Sequence, residues 1–219
     1  MTITENERDA VYKTIFSRRD VRREFKSTPI PKTVLERMLL AAHHAPSVGF
    51  MQPWDFILVS DQDTKAKIKQ GFLQAHAEAA ELFQGDRQEK YKTLKLEGIE
   101  EAPLGICVTC DRERTGPVVL GRTAKPEMDL FSSVCAIQNL WLAARAENIG
   151  LGWVSILHDQ VLRDLLKIPD NIEIIAYLCI GYVEAFQDTP DLEKAGWLSR
   201  RPVESVIHHG VWQEKTIGE

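Results

Sequence analysis

The chain carries no surplus of basic charge. Its 27 Lys and Arg face 32 Asp and Glu, a formal net charge of −5. That excludes the broad positive field with which nucleic-acid binders meet phosphate, so each basic cluster is read as a local site. Long apolar runs are missing too. The most apolar helical candidate, Leu130 to Ala146, is interrupted by Ser132, Ser133, Gln138, Asn139 and Arg145. A membrane span needs about 20 nearly uncharged apolar residues, so this stretch reads as a buried core helix and no membrane partner is expected. The opening "MTITENERDAVYK" lacks the apolar centre of a secretory signal, which makes the cytoplasm the expected compartment.

Cysteine is scarce, with four in the chain. Cys107 and Cys110 form a CxxC, but "LGICVTCD" reads as a strand and no second CxxC completes a zinc site. Buried, reduced thiols are expected at all four positions. His43-His44 and His208-His209 have no carboxylate or cysteine at ligand spacing, so no metal site is expected. The chain also has no GxxxxGK[ST], HExxH, GxSxG or GxGxxG, which leaves P-loop, zincin, hydrolase and Rossmann chemistry without a motif.

What is present is enough apolar residue, 44% of 219, for one sizeable core and one domain. Val11 and Ile15 share a helical face ahead of an arginine cluster. After Pro31, Val34, Leu35, Met38, Leu39 and Ala42 recur at helical spacing, up to Pro46. Trp54 to Ser60 reads as a strand, and Asp61 or Asp63 caps a helix through "KAKIKQGFLQAHAEAAELF". Residues 84–103, charged and weakly periodic, are either a solvated helix and loop or a lid. Strand "GICVTC" follows, then a long helix from about Met128 to Asn148. Gly150 and Gly152 open strand "GLGWVSIL", Asp159 caps "QVLRDLLKI", and "IEIIAYLCIGYV" is a further strand. The tail, 184–219, is extended apart from a short "PVESVI" turn. Helices and strands interleave without strict alternation, so the fold class is α+β around one central sheet.

Four stretches hold residue types that a packed core would not select. The first, "SRRDVRR", gathers Arg18, Arg19, Arg22 and Arg23 around Asp20 and Val21. Guanidinium groups bind phosphate through paired directional hydrogen bonds, so this is an anion site or an exposed helix end. Asp20 either balances a neighbouring arginine or does acid–base work. The second, "APSVGFMQPW", offers Ser47 and Gln52 from a loop. The third, "NIGLGWVSI", sets two glycines around Leu151, where backbone can approach a ligand, and puts Ser155 on the strand behind them. The fourth, "GWLSRRPVESVI", brings a second arginine pair, Arg200 and Arg201.

Taken together, "RRDVRREF", "PSVGFMQPW", "GLGWVS" and "SRRP" resemble, in order and across nearly the whole chain, the motifs of the FMN-binding nitroreductase family. The resemblance implies a central mixed or antiparallel sheet flanked by helices. It also implies an intertwined homodimer, embraced by the 184–219 tails, with flavin at the subunit interface. Carried over by position, Arg18, Arg19 and Arg22 hold the FMN phosphate and the ring's N1–O2 edge, and Arg200 closes on the phosphate. Ser47, Gln52 and the Gly150–Leu151–Gly152 backbone line ring and ribityl chain, with Val21 and Lys95 beside them.

Two departures narrow the resemblance. Asp20 stands where the family has Ser or Thr, and Phe50 where it has a loop Asn. Both match the aerobic 5,6-dimethylbenzimidazole synthase branch, as do "AAHHAPSVGFMQPW", "LKLEGIEEAP" and "MDLFSSVCAIQNLWLAARAENIGLGWVSI". Members of that branch consume reduced FMN and O2, the reduced flavin coming from a flavin reductase, and release dimethylbenzimidazole and erythrose 4-phosphate. The branch implies Asp20 and Ser155 as catalytic residues and a dry pocket at Phe50 and Met51. An NAD(P)H-dependent nitro or flavin reductase and a non-catalytic flavin carrier are the alternatives.

Overall fold

A computed structural model describes residues 2–214. They divide into two compact units, one ending at Phe186 and one beginning at Gln187.

The first unit is built on four antiparallel strands in the order β1-β2-β4-β3. They are β1 (Trp54–Val59), β2 (Leu104–Asp111), β3 (Ile149–Val154) and β4 (Ile172–Tyr182). The expected mixed or antiparallel sheet is thus antiparallel throughout its four strands. Strands β2 and β4 read as continuous apolar runs because helices cover both faces, and their two-residue period sorts side chains between two cores. Ile106, Val108, Leu178 and Ile180 face one core with Met38, Ala42, Ile137, Leu140 and Ala144. Cys107, Tyr177 and Cys179 face the other with Ile68, Phe72, Ile99 and Leu162. Each fully buried Leu or Ile contributes about 2 kcal/mol.

The first core lies under α2 (Lys32–His43) and α5 (Met128–Ala146), the second under α3 (Gln62–Ala80) and α6 (Asp159–Leu166). Asp61 caps α3, its carboxylate accepting from the Thr64 amide at 2.8 Å. Asp159 is not a cap: it is the first residue of α6, whose N-cap position is His158. A capping box between Thr4 and Glu7 starts α1 (Glu5–Ser17), a helix that buries no residue in this chain.

Two expectations about burial need correction. The helix read as a buried core helix, α5, is buried on one face. Phe131 and Val134 lie exposed on the other, and so does Cys135, while the remaining three cysteines are buried and free. Their CxxC spacing is incidental, since residues i and i+3 of a strand point to opposite faces.

The 84–103 segment is part wall. Within it α4 (Gly85–Thr93) is charged and mostly exposed, but Glu97, Gly98, Ile99 and Ala102 are buried against the second core. The buried Glu97 carboxylate accepts hydrogen bonds from Lys69, from Lys95 at 2.6 Å and from the Ile99 amide at 2.8 Å. Burial pulls this carboxyl up, but those donors more than offset it and hold it below the usual range.

The second unit contains α7 (Asp191–Lys194) and a 3-10 turn at Val203–Val206, where "PVESVI" had indicated one.

Candidate functional site

The arginine segment begins where α1 ends. Arg18 leaves the helix with φ −63° and ψ 136°, and the chain runs on extended. It lies beside β3 as a short parallel bridge between Asp20 and Leu151, with the Val21 amide donating to the Leu151 carbonyl at 3.0 Å. Gly152 permits this approach, because a Cβ there would stand 1.9 Å from the Val21 carbonyl oxygen. Gly150 is similarly filled by Val21 and Val183. The two glycines expected to admit a ligand therefore meet the chain's own Val21.

This bridge carries Asp20 to the edge of the sheet. One carboxylate oxygen accepts from the Trp153 amide at 3.0 Å, and the other accepts from Arg22 Nη2. Burial is the largest influence and pushes the Asp20 carboxyl above the usual range, against the pull of Arg22, the Trp153 amide and Arg18. A carboxyl so displaced, beside several guanidiniums, is suited to take or return a proton.

The arginines differ in their surroundings. Arg19 Nη1 donates to the Phe16 and Arg18 carbonyls at 2.8 and 2.7 Å. Arg18 stacks on Trp141, its Cζ 4.7 Å from the ring centroid. Arg22 Nε is buried and has no hydrogen-bond partner among the described residues. A buried donor left open is costly, and a phosphate or an anionic ring edge would satisfy it. The segment therefore fits the anionic flavin that the motifs imply.

The second expected stretch forms a tight loop. The Ser47 carbonyl accepts from the Phe50 amide at 3.1 Å, and Ser47 Oγ accepts from the Gln52 amide at 3.1 Å. Ser132 Oγ, on α5, accepts from the Val48 amide at 3.0 Å and pins the loop to that helix. Gly49, Phe50 and Gln52 all take positive φ, at 55°, 54° and 46°. That conformation is costly for residues with a Cβ and is held here by the surrounding bonds. Arg114 adds one, donating to the Gln52 carbonyl at 2.8 Å.

The loop buries Met51 and lifts Phe50 outward, with 81% of its surface exposed. Phe50 thus lines no closed pocket within a single chain. Ser155 differs from expectation, since β3 ends at Val154 and leaves Ser155 exposed beyond it.

Lys95 bonds both Glu97 and Glu101 at 2.6 Å, so two of its three donors are committed within the segment. Arg200 lies in the second unit, exposed, with its amide donating to Glu193 Oε1 at 3.3 Å. No group of three or more His, Cys, Asp or Glu suited to a metal occurs among the described residues.

The motif reading missed two groups that shape these loops. Asp129 is fully buried and accepts from Arg112 at 3.1 Å and Arg122 at 2.6 Å, which anchors the 112–127 loop. Val119 and Leu120 of that loop fill the space beside Gly49. Trp141 and Arg145 of α5 bond the carbonyls of Arg19 and Ser17. The available signal was polar-tipped side chains four residues apart in an otherwise apolar helix.

Comparison with known proteins places these features in context. Residues 15–182 match the model of the nitroreductase family. The chain is 44% identical to a 5,6-dimethylbenzimidazole synthase of Rhodospirillum rubrum over 84% of this chain and 87% of that protein. It is 40% identical to one of Rhodobacter capsulatus over 93% of this chain and 98% of the relative. Among solved structures, an oxidized iodotyrosine deiodinase bound to FMN and 3-iodo-L-tyrosine superposes with a TM-score of 0.74. That match covers 92% of this chain and 100% of the other at 21% identity, a likeness of fold alone.

Proposed function

The chain belongs to the nitroreductase family, and we propose that it uses O2 to break reduced FMN into 5,6-dimethylbenzimidazole, the lower ligand of cobalamin, erythrose 4-phosphate, and a pyrimidine fragment that carries the rest of the ring and the oxygen. The observation that carries this reading is the likeness, over most of the chain, to relatives named for that synthase. The half-buried Asp20 inside an arginine segment supports it from the geometry. Bound reduced flavin supplies the electrons that activate oxygen.

In this reading Arg18, Arg19 and Arg22 neutralise the phosphate and the anionic ring edge. The buried Nε of Arg22, without a partner among the described residues, is a donor such an anion would satisfy. Asp20, fixed by Trp153 and Arg22, takes a proton from the ribityl chain as its carbon–carbon bond breaks and returns it to a product. Ser155, free of the strand, holds a proton at the ring edge. Ser47 and Gln52 orient the ligand through a loop whose conformation is already set, while Met51 and Phe50 exclude water. Arg200 is retained as a phosphate ligand on its residue type.

The working form is a homodimer. Val11, Tyr12, Ile15 and Phe16 of α1 and Phe131 and Val134 of α5 are exposed apolar side chains that a second copy would cover. A flavin reductase supplies the reduced FMN, and the reaction takes place in the cytoplasm. Mixing the protein anaerobically with chemically reduced FMN, admitting air and separating the products by chromatography tests the proposal. Dimethylbenzimidazole is expected; recovery of oxidised FMN alone would refute it.

A further inference from the structure

We infer that Trp141 and Arg145 are positioning residues that clamp the end of α1, and that Trp141 thereby holds the Arg18 guanidinium ready for a phosphate. The inference rests on the reading of Arg18 as a phosphate ligand given above.

Where α1 gives way to extended chain, its last carbonyls lose their helical partners and need other donors. Two come from α5. Trp141 Nε1 donates to the Arg19 carbonyl at 3.1 Å, and Arg145 Nε donates to the Ser17 carbonyl at 3.2 Å. These carbonyls flank Arg18 on either side. Their donors are four residues apart, hence on one face of α5 and one turn from each other. Two bonds at that spacing fix both the position and the direction of the chain through residue 18.

Arg145 is itself held in place. Its Nη1 donates to Asn148 Oδ1 at 3.0 Å, and its Cζ lies 4.1 Å from the Phe186 ring centroid. Trp141 then does a second job, because its ring lies under the Arg18 guanidinium at 4.7 Å. Stacking engages the face of a guanidinium, whereas phosphate is bound by the N–H groups along its edge. One indole can therefore restrict the Arg18 rotamer before a ligand arrives. Ordering a rotamer-rich side chain in advance removes that cost from binding.

The same helix reaches the other candidate stretch, since Ser132 pins the Ser47–Gln52 loop. Ser132 and Trp141 are separated by about 13 Å of helix rise. A single rigid element thus sets the conformation of both stretches.

Riboflavin, which is FMN without its phosphate, gives the discriminating measurement. Dissociation constants for oxidised FMN and riboflavin are compared by flavin fluorescence in the wild type, Trp141→Leu, Trp141→Phe and Arg18→Met. Trp141→Leu is expected to weaken FMN about three- to tenfold, the size set by ordering one long side chain, and to leave riboflavin unchanged. Trp141→Phe keeps a ring under Arg18 but loses the N–H, so an intermediate loss of FMN preference is expected. A merely structural role for Trp141 would weaken both ligands alike and would overturn the inference. So would an unchanged FMN-to-riboflavin ratio in a folded Trp141→Leu when Arg18→Met abolishes the preference. An unchanged ratio in Arg18→Met would instead refute Arg18 as the phosphate ligand. Should Trp141→Leu fail to fold, Trp141→Phe decides: an unchanged ratio overturns the inference and a reduced ratio upholds it.

Discussion

The carbonyl oxygen of Val21 lies 1.9 Å from the point where a side chain at Gly152 would begin. This approach lets the arginine segment join the edge of the sheet, and it brings Asp20 within 3.0 Å of the Trp153 amide. The atom in the way is backbone, which cannot rotate aside. Gly152→Ala is therefore expected to cost about 1–3 kcal/mol by overpacking and to displace residues 20–22. Thermal unfolding checks the first effect. A flavin titration checks the second, with FMN binding weakened more than tenfold.

Asp20→Asn keeps an oxygen for the Trp153 amide but cannot take a proton. Dimethylbenzimidazole formation is expected to fall at least about 100-fold, the scale of a lost general base, while reduced FMN binds within a few-fold of the wild type. Anaerobic titration and single-turnover product analysis separate the two effects. A full rate in this variant would remove Asp20 from the chemistry.

The raised pKa of Asp20 fixes the sign of a pH dependence. Burial holds the carboxyl above its ordinary 3.8, and Arg22 opposes that shift. Only the ionised form accepts a proton, so the single-turnover rate should climb with pH through a limb lying above 3.8. Arg22→Met removes a favourable charge from the carboxylate and should move that limb to higher pH. The limb should be absent in Asp20→Asn.

Glu97 offers a test of stability apart from catalysis. Burial alone would raise its pKa, but bonds from Lys69, Lys95 and the Ile99 amide bring it below the ordinary 4.5. Its stabilisation is therefore complete above pH 4.5 and is lost as pH falls through the lower folded-state value. Glu97→Gln is expected to destabilise the protein by about 3 kcal/mol at neutral pH, since it takes the buried carboxylate from the half-buried Lys69 and leaves Lys95 with Glu101 alone. Melting curves from pH 7 down to about 3 should converge with those of the wild type as the glutamate protonates.

Much of the fold was legible because its signals are local. Asp61 caps its helix, the apolar runs at 104–111 and 172–182 are the two central strands, and Pro31 precedes α2. What escaped depends on contacts between distant segments. Glu97 and Asp129 carry no local sign of burial, yet each is buried and paired with residues far away in sequence. Residues 84–103 were ambiguous because their pattern mixes an exposed helix with a buried connector. The glycines of "GLGW" signalled close backbone approach correctly, but a sequence cannot say whether a ligand or another strand arrives there. The exposure of Phe50 in a single chain follows from positive φ angles that only the packed loop imposes.

The measurement that bears most directly on the central claim is a single turnover with excess protein over reduced FMN. Air is admitted, and dimethylbenzimidazole, erythrose 4-phosphate and residual FMN are then quantified together. Both products are expected in equal amounts, matching the FMN lost. Complete recovery of FMN in its oxidised form, with neither product present, would contradict it.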